Sequence, residues 1–308
     1  MDKTLCEKFD ELKKSLPDEL KNHALVDFNK NENIKYYCSN GESGKTDCET
    51  DLDQIKAGCL WLFEQLFLEN KKNISTVEYI IIWLSYKLNQ KTYDEIKNLN
   101  DFYEAHIKNN THYINCKQGG VNCSDSLKKN IGYKNYKEII NGRKGLLNTN
   151  FEYMSKFYDA FKPLCNVYTE LGGRNTISEK SLENAKNFVE KYKELNEDSI
   201  ISGDSSYKQV LSTLLNDYNN LTIFCDSNGI DCNKILSLIP TETEESDMLS
   251  SEEICYVTPP SLSIVKKLIL ALLIFSVISI FFGIFFKCSL FVLRKRAQKQ
   301  YLREKLKK

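Results

Sequence analysis

One apolar stretch near the C-terminal end, Leu268 to Phe286, constrains the fold more than any other feature of the chain. Its nineteen residues carry no charge, and fifteen of them are Leu, Ile, Phe or Val. As a helix rising about 1.5 Å per residue it would be about 28 Å long, close to the roughly 30 Å hydrocarbon core of a bilayer. A buried core helix is the alternative, but a segment that is apolar on every face and followed by a basic tail favours a membrane. The sequence therefore predicts one transmembrane helix over 265–288, with its core at 268–286.

The charges on either side of this stretch predict its orientation. Residues 268–308 contain nine basic residues and one acidic residue, whereas residues 1–267 contain 33 basic and 41 acidic residues. Because Lys and Arg concentrate on the cytosolic side of a membrane helix, we expect a cytosolic C-terminus and a body that is outside the cell or lumenal. The lipid bilayer is thus a predicted partner, and the residues predicted to contact its anionic inner leaflet are Lys287, Arg294, Lys295, Arg296, Lys299 and Arg303. Nucleic-acid binding is the competing interpretation of a basic run, and the adjacent membrane helix argues against it.

The cysteines indicate an exported, oxidised body. Ten of the eleven precede the membrane helix, and they are Cys6, Cys38, Cys48, Cys59, Cys116, Cys123, Cys165, Cys225, Cys232 and Cys255. An even number outside the membrane, with one left over, is typical of a disulfide framework in an oxidising compartment. Two of the possible pairs, Cys116 with Cys123 and Cys225 with Cys232, each enclose six residues that include a Gly. A zinc site is the alternative, but neither pair has CxxC spacing, and we expect no metal.

Two cysteines have a second interpretation. Cys59 lies in an apolar helical segment, where it is either a disulfide partner or a buried free thiol. Cys288 lies just inside the predicted membrane boundary and cannot join the outer set. We regard it as a candidate for S-palmitoylation, with an unmodified thiol as the alternative.

Helical periodicity predicts an all-α bundle for the body, with six to eight helices around one core and loops stapled by disulfides. The strongest periodic segment is 145–171, and Gly172-Gly173 is predicted to end it. Pro163 is predicted to kink it near Asp159. The apolar face of this segment comprises Leu147, Phe151, Met154, Phe157, Tyr158, Phe161, Leu164, Cys165 and Tyr168.

Local signals divide the body further. Capping-box patterns at Ser75–Glu78 and Thr92–Glu95 predict two helix starts. Two segments rich in Asn, Gly, Lys and Cys, Asn29–Asp51 and His112–Lys134, are predicted to be loops.

The chain as a whole is predicted to have four parts. A cysteine-containing helical ectodomain occupies 1–238, and an acidic, disordered stalk follows at 239–264. The transmembrane helix at 265–288 then leads into a basic cytosolic tail at 289–308. This order is typical of a domain displayed on a single-pass anchor.

The sequence contains no motif that is typical of an enzyme. The segment SNGESGKT at Ser39–Thr46 resembles a phosphate-binding loop, but Ser39 stands where that motif requires Gly. Cys38 and Cys48 bracket the segment, so a surface loop held by cysteines is the better interpretation. His106 and His112 are six residues apart, which does not match the i, i+4 spacing of a helical metal pair. We therefore expect no catalytic residues and no cofactor.

The sequence resembles the PIR superfamily of variant antigens from malaria parasites, most of all its rodent-parasite branch. The resemblance rests on the following segments: AGCLWLFEQLF (Ala57–Phe67), YIIIWLSYKLNQ (Tyr79–Gln90), FYDAFKPLCNVYTEL (Phe157–Leu171), LLNDYNNL (Leu214–Leu221) and the tail SLFVLRKRAQKQYLREKLKK (Ser289–Lys308). The tail is the most specific of them. With the cysteines and the C-terminal apolar helix, the resemblance covers nearly the whole chain.

This resemblance implies a multigene family exported by the parasite or displayed on it and on its infected red cell. It implies antigenic variation, immune evasion or binding of a host cell-surface protein or an antibody, and it brings no catalytic residues. The alternative function is an internal structural or trafficking protein of parasite-derived membranes. A membrane-bound enzyme is the third and least favoured hypothesis.

Overall fold

The structure is a computed structural model that describes residues 1–20, 28–38, 47–118, 121–171 and 176–238. The predicted stalk, transmembrane helix and tail, together with Cys255 and Cys288, lie outside the described residues. Among the described helices, none has the length and apolarity that a bilayer crossing requires.

Most of the described residues are helical, as predicted. The six longest helices, with 13 to 21 residues each, are α1 (Lys3–Ser15), α3 (Asp51–Phe63), α4 (Thr76–Leu88), α10 (Phe151–Leu171), α11 (Glu179–Glu197) and α13 (Ser205–Asn219). The shorter helices in the described ranges are α2 (Glu32–Lys35), α5 (Leu99–Phe102), α6 (Thr111–Ile114), α7 (Ser124–Ile131), α8 (Tyr136–Asn141), α9 (Lys144–Leu147), α12 (Ser199–Gly203), α14 (Leu221–Asn228) and α15 (Asn233–Leu236). A 3₁₀ turn at Tyr36–Cys38 continues α2, and π-helical turns at Glu64–Glu69 and Tyr103–Ile107 extend α3 and α5.

The long helix α10 organises the core. It packs against α11, α4 and α1, and its predicted apolar face is buried. The helix is continuous through Pro163 as far as Leu171, and the kink predicted near Asp159 stays a prediction. The periodic segment is nevertheless divided, because α9 ends at Leu147 and α10 begins at Phe151. The predicted end at Gly172-Gly173 lies outside the described residues.

Helix α4 is the most deeply buried element beside α10. All but one of its thirteen residues are buried, which explains a sequence that is apolar on nearly every face. It packs between α10 and α3, so each side of it meets another helix. A helix in this position needs no polar face.

Of the two predicted helix starts, the one at Ser75 is confirmed, because α4 begins at Thr76, and the one at Thr92 is wrong; neither pattern forms a capping box. The Ser75 backbone is already helical and its hydroxyl donates to Asn73 Oδ1, so it makes no cap hydrogen bond to α4. Glu78 is buried and does not reach back to the helix start. Residues 92–95 form a turn, and Asn98 caps the next helix, α5. A capping box is present at the start of α3, where the Thr50 side chain and Asp53 bond each other's backbone amides.

The two predicted loops contain secondary structure that was not expected. The first includes α2 and the 3₁₀ turn. The second overlaps α6 and contains α7 and a minimal hairpin, in which β1 (Lys117–Gln118) pairs antiparallel with β2 (Val121–Asn122). Each of these elements has eight residues or fewer, which is below the length at which periodicity is visible in a sequence.

Candidate functional site

Four disulfides staple the described part of the body. The two equally spaced candidate pairs are bonded, Cys116 to Cys123 and Cys225 to Cys232. Cys38 bonds Cys48 around residues 39–46, the segment that resembles a phosphate-binding loop and lies outside the described residues. The fourth bond is long-range and joins Cys6 on α1 to Cys165 on α10.

Cys59 is a correction to the list of candidate disulfide cysteines. Its thiol has no disulfide partner among the residues that the structure describes, and it is buried inside α3. Burial raises the pKa of the thiol to about 12, although interaction with the Tyr113 side chain opposes this rise. The second of the two alternatives, a buried free thiol, is therefore the one in the structure.

The described residues enclose a cleft of about 170 Å³. We call it the tyrosine cleft, defined by Tyr36, Tyr37, Glu64, His112 and Tyr136, and it is also lined by Leu60, Thr111 and Asn115. These residues come from the 3₁₀ turn, the end of α3 with its π-helical turn, α6 and α8. Local disulfides flank it, because Cys38 follows Tyr37 directly and Cys116 follows Asn115.

Aromatic rings form the walls of the cleft. Tyr36 is 64% exposed at the rim, and its ring meets that of Tyr37 edge-on at 5.1 Å between centroids. The His112 ring meets Tyr36 in the same manner at 5.7 Å. Tyr136 is only 3% exposed and packs against Phe63 with centroids 5.8 Å apart. The Tyr136 hydroxyl is buried and has no hydrogen-bond partner among the described residues.

Glu64 supplies the negative charge of the cleft. Burial raises the pKa of this half-buried carboxyl, a hydrogen bond from the Tyr37 hydroxyl opposes the rise, and the charge of Glu69 adds to it. Burial and the nearby Glu64 carboxylate in turn raise the pKa values of Tyr37 and Tyr136. None of the residues that line the cleft is Lys or Arg. The carboxylate thus shares the cleft with aromatic rings and hydroxyl groups.

Sequence reasoning missed this cleft. It placed Tyr36 and Tyr37 in one loop and His112 and Tyr136 in or beside another, and it gave Glu64 no role. The signal available in the sequence was the Tyr36-Tyr37-Cys38 triplet, two aromatic residues beside a cysteine. Nothing in the sequence indicated that α3 would bring Glu64 to them.

The two histidines considered as a metal pair, His106 and His112, have different surroundings. Burial lowers the pKa of His106 to about 4, and the neighbouring Lys56 contributes to this fall. His112 lines the tyrosine cleft. Within the described ranges, no three His, Cys, Asp or Glu side chains cluster in a way that could hold a metal ion.

Comparison with known proteins identifies the family. The sequence model described as Plasmodium variant antigen protein Cir/Yir/Bir matches residues 6–287. The chain belongs to this family of Plasmodium variant antigens. A solved structure titled "Structure of a Plasmodium PIR protein ectodomain" is 34% identical in sequence, with a TM-score of 0.51, and the match covers 72% of this chain and 93% of that one. No curated protein matches the chain.

This membership bears on the earlier predictions. The resemblance to PIR proteins drawn from the segments and tail is confirmed, and so is an all-α, disulfide-stapled body. The family match extends through the apolar stretch at 268–286 to residue 287. The orientation of that stretch, the lipid contacts of the tail and the state of Cys288 stay predictions.

Proposed function

We propose that this PIR protein is a membrane-anchored variant antigen, displayed outside the parasite cytosol, whose helical body contacts host molecules or antibodies. One observation carries the proposal. The family match begins at Cys6, within the disulfide-bonded body, and continues across the apolar stretch to Lys287. A folded domain and an apolar segment long enough to cross a bilayer thus belong to the same family pattern.

The construction of the body supports a display role. Three of the four disulfides close short segments of seven or ten positions, and the described residues of two of them include exposed positions such as Val121 and Asn228. Such loops can change in sequence while the core around α10 and α4 stays the same. A protein that must vary its surface without unfolding needs this separation of loop and core.

The test is antibody labelling of intact infected red cells. An antibody against residues 100–135 binds a segment that includes Val121, whose side chain is 70% exposed. We expect this antibody to label cells without permeabilisation. An antibody against residues 289–308 is the matched control, and it is expected to label only after permeabilisation. Absence of surface label in cells that express the protein normally would contradict the proposal and favour the internal structural or trafficking role.

The tail has a separate role in the proposal. We infer that Lys287, Arg294, Lys295, Arg296, Lys299 and Arg303 hold the tail against the anionic inner leaflet, where each contributes about 1 kcal/mol. Deletion of residues 294–308 is expected to mislocalise the protein while leaving the body folded. The candidate acylation of Cys288 is tested separately, because a Cys288→Ser variant is expected to lose incorporation of a palmitate analogue. Normal localisation of the truncated protein would remove this role from the tail.

A further inference from the structure

We propose that the tyrosine cleft binds the guanidinium group of an arginine side chain presented by a partner protein. This inference deepens the proposed function and rests on it, because it names the chemistry of one contact made by the displayed body. It depends on three properties of the cleft: its size, its charge and an unpaired hydroxyl.

The size of the cleft suits one side chain. Its volume is about 170 Å³, and a protein cavity of about 150 Å³ is known to accept a molecule as large as benzene. A planar guanidinium and its adjacent methylene groups are of this size, whereas a helix or strand of a partner is far larger. Tyr36 stands exposed at the rim, so the cleft is accessible from solvent.

The charge of the cleft selects a cation. Glu64 is half-buried, its pKa is raised by that burial, and no described Lys or Arg pairs with its carboxylate. An anionic ligand would be repelled, and a neutral one would leave the charge uncompensated. The rings of Tyr36, Tyr37 and Tyr136 add negatively polarised faces, which attract cations within about 6 Å of the ring centre.

The buried hydroxyl of Tyr136 distinguishes among cations. Among the described residues it has no hydrogen-bond partner, although buried polar groups normally have one, and Tyr136 lines the same cleft as Glu64. A quaternary ammonium has no N–H and would leave this oxygen unsatisfied. A guanidinium has five N–H donors in a planar fork, so it can bond both carboxylate oxygens of Glu64 and also donate to Tyr136.

The position of the cleft fits a role in partner binding. The Cys38–Cys48 disulfide ties Tyr37 to the residues just before α3, and Cys116–Cys123 closes the hairpin that follows Asn115. The residues that these disulfides enclose can vary in sequence while the bonded cysteines stay in place. The cleft would then supply a constant anchor within a variable surface.

The experiment measures binding of small probes to the full-length protein in a non-ionic detergent that carries no amine group. The probes are N-acetyl-arginine amide, its uncharged isostere N-acetyl-citrulline amide, and choline, each titrated by saturation-transfer NMR. We expect the arginine probe to bind at least tenfold more tightly than the citrulline probe and than choline. Equal binding of arginine and citrulline, tighter binding of choline, or no binding of the arginine probe would each overturn the proposal.

Variants of the residues that line the cleft test where the arginine probe binds. Glu64→Gln is expected to weaken binding of the arginine probe by tenfold or more, because it removes the charge from a charge-assisted hydrogen bond. Tyr136→Phe removes only the hydroxyl and is expected to weaken it severalfold. Glu69→Gln is the matched control, since it removes the same charge from an exposed neighbour that does not line the cleft, and it is expected to change binding less than twofold. Unchanged binding by correctly folded Glu64→Gln protein, checked by near-UV circular dichroism, would overturn the assignment.

These outcomes are separable from those of the display proposal. Surface labelling with no binding of the arginine probe would leave display standing and remove the arginine site. Binding of the probe without surface labelling would place the cleft's partner inside the cell.

Discussion

Cys6 and Cys165 are joined by a disulfide that connects positions 159 residues apart, with their Cα atoms 5.2 Å apart. The bond links α1 to α10, the helix that also packs against α4 and α11. Since a cross-link stabilises mainly by restricting the unfolded chain, its effect grows with the length of the loop that it closes. This bond is therefore expected to dominate the disulfide contribution to stability.

The first prediction compares this bond with a short one. In the chain-entropy relation, a loop of this length corresponds to about 5 kcal/mol and a loop of seven residues to about 2 kcal/mol. We expect the double variant Cys6→Ala/Cys165→Ala to lose more unfolding free energy than Cys116→Ala/Cys123→Ala. The measurement is urea unfolding without reductant, followed by circular dichroism. Equal losses in the two variants would show that the long loop is already restricted by other structure in the unfolded state.

The sequence pattern singled out two short pairs as candidates but not the long one, and the physical reason is locality. Cys116 and Cys123 are close in sequence with a turn between them, so their pairing needs no knowledge of the fold. The pairing of Cys6 with Cys165 depends on how α1 lies on α10. The apolar face of α10 was likewise visible because it repeats over 21 residues, whereas a four-residue helix such as α6 has no repeat to detect.

The failed capping box shows the same limit. Ser75 and Glu78 have the local pattern, but Glu78 instead lies against Arg143 and Gln209, which are distant in sequence. The tyrosine cleft was missed for this reason as well, since Tyr36, Glu64 and Tyr136 span a hundred positions. Local patterns thus predicted α10 and the start of α4, and contacts between distant segments decided the rest.

The second prediction concerns Asp18, which ties the segment after α1 to α10. Its carboxylate accepts hydrogen bonds from the Tyr158 hydroxyl at 2.7 Å and the Lys162 ammonium at 2.5 Å, and Lys13 is 3.0 Å away. Burial alone would raise the pKa of Asp18, but these hydrogen bonds outweigh it and lower the pKa to about 2. The stabilisation is fully present above about pH 4 and is lost as the pH falls towards 2.

We therefore expect Asp18→Asn to lower the unfolding free energy at neutral pH by about 1–2 kcal/mol, allowing for solvent screening by its partly exposed partners. The difference from the unmodified protein should shrink between pH 4 and 2 in urea titrations. Asp10→Asn is the control, because burial raises the pKa of Asp10 and its removal should cause no such loss. A difference that persists unchanged at pH 2 would contradict the role of charge.

The third prediction concerns the buried carboxylate of Glu78 on α4, which is 1% exposed. Arg143 Nε lies 3.4 Å from its Oε1 atom, and Gln209 donates a hydrogen bond to the same atom at 2.5 Å. Removing the cation strands a buried charge, so Arg143→Met is expected to lower the unfolding free energy by about 3 kcal/mol. Adding Glu78→Gln should restore most of that loss.

A double-mutant cycle measured by urea unfolding checks this coupling. Lys108→Met is the control, because Lys108 forms an exposed pair with Glu104 and its loss should leave the unfolding midpoint unchanged. Simple additivity of the Arg143→Met and Glu78→Gln effects would contradict an interaction between these two side chains.

The fourth prediction concerns the buried thiol of Cys59. With its pKa raised to about 12 by burial, the thiolate fraction near pH 8 is only about one in ten thousand, and the sulfur is also shielded from reagents. Iodoacetamide is expected to leave Cys59 unmodified in the native protein and to alkylate it in urea. Mass spectrometry of the peptide that contains Cys59 provides the measurement. Fast alkylation of native protein would mean that α3 opens locally.

The last prediction concerns the effect of Glu64 on stability. A carboxyl with a raised pKa in the folded protein binds its proton more tightly there than in the unfolded chain. Its contribution to stability is therefore present at low pH and is lost as the pH rises above about 4.5, the ordinary value for Glu.

We expect Glu64→Gln to raise the unfolding free energy at pH 7, by less than about 1 kcal/mol because solvent screens a half-exposed group, and to have no effect at pH 4. Urea unfolding at both pH values, with Glu69→Gln in parallel, measures the difference. If Glu64→Gln raises the unfolding free energy at pH 7 but weakens arginine binding, Glu64 is retained for binding. A loss of stability in Glu64→Gln at pH 7 would instead assign Glu64 a structural role.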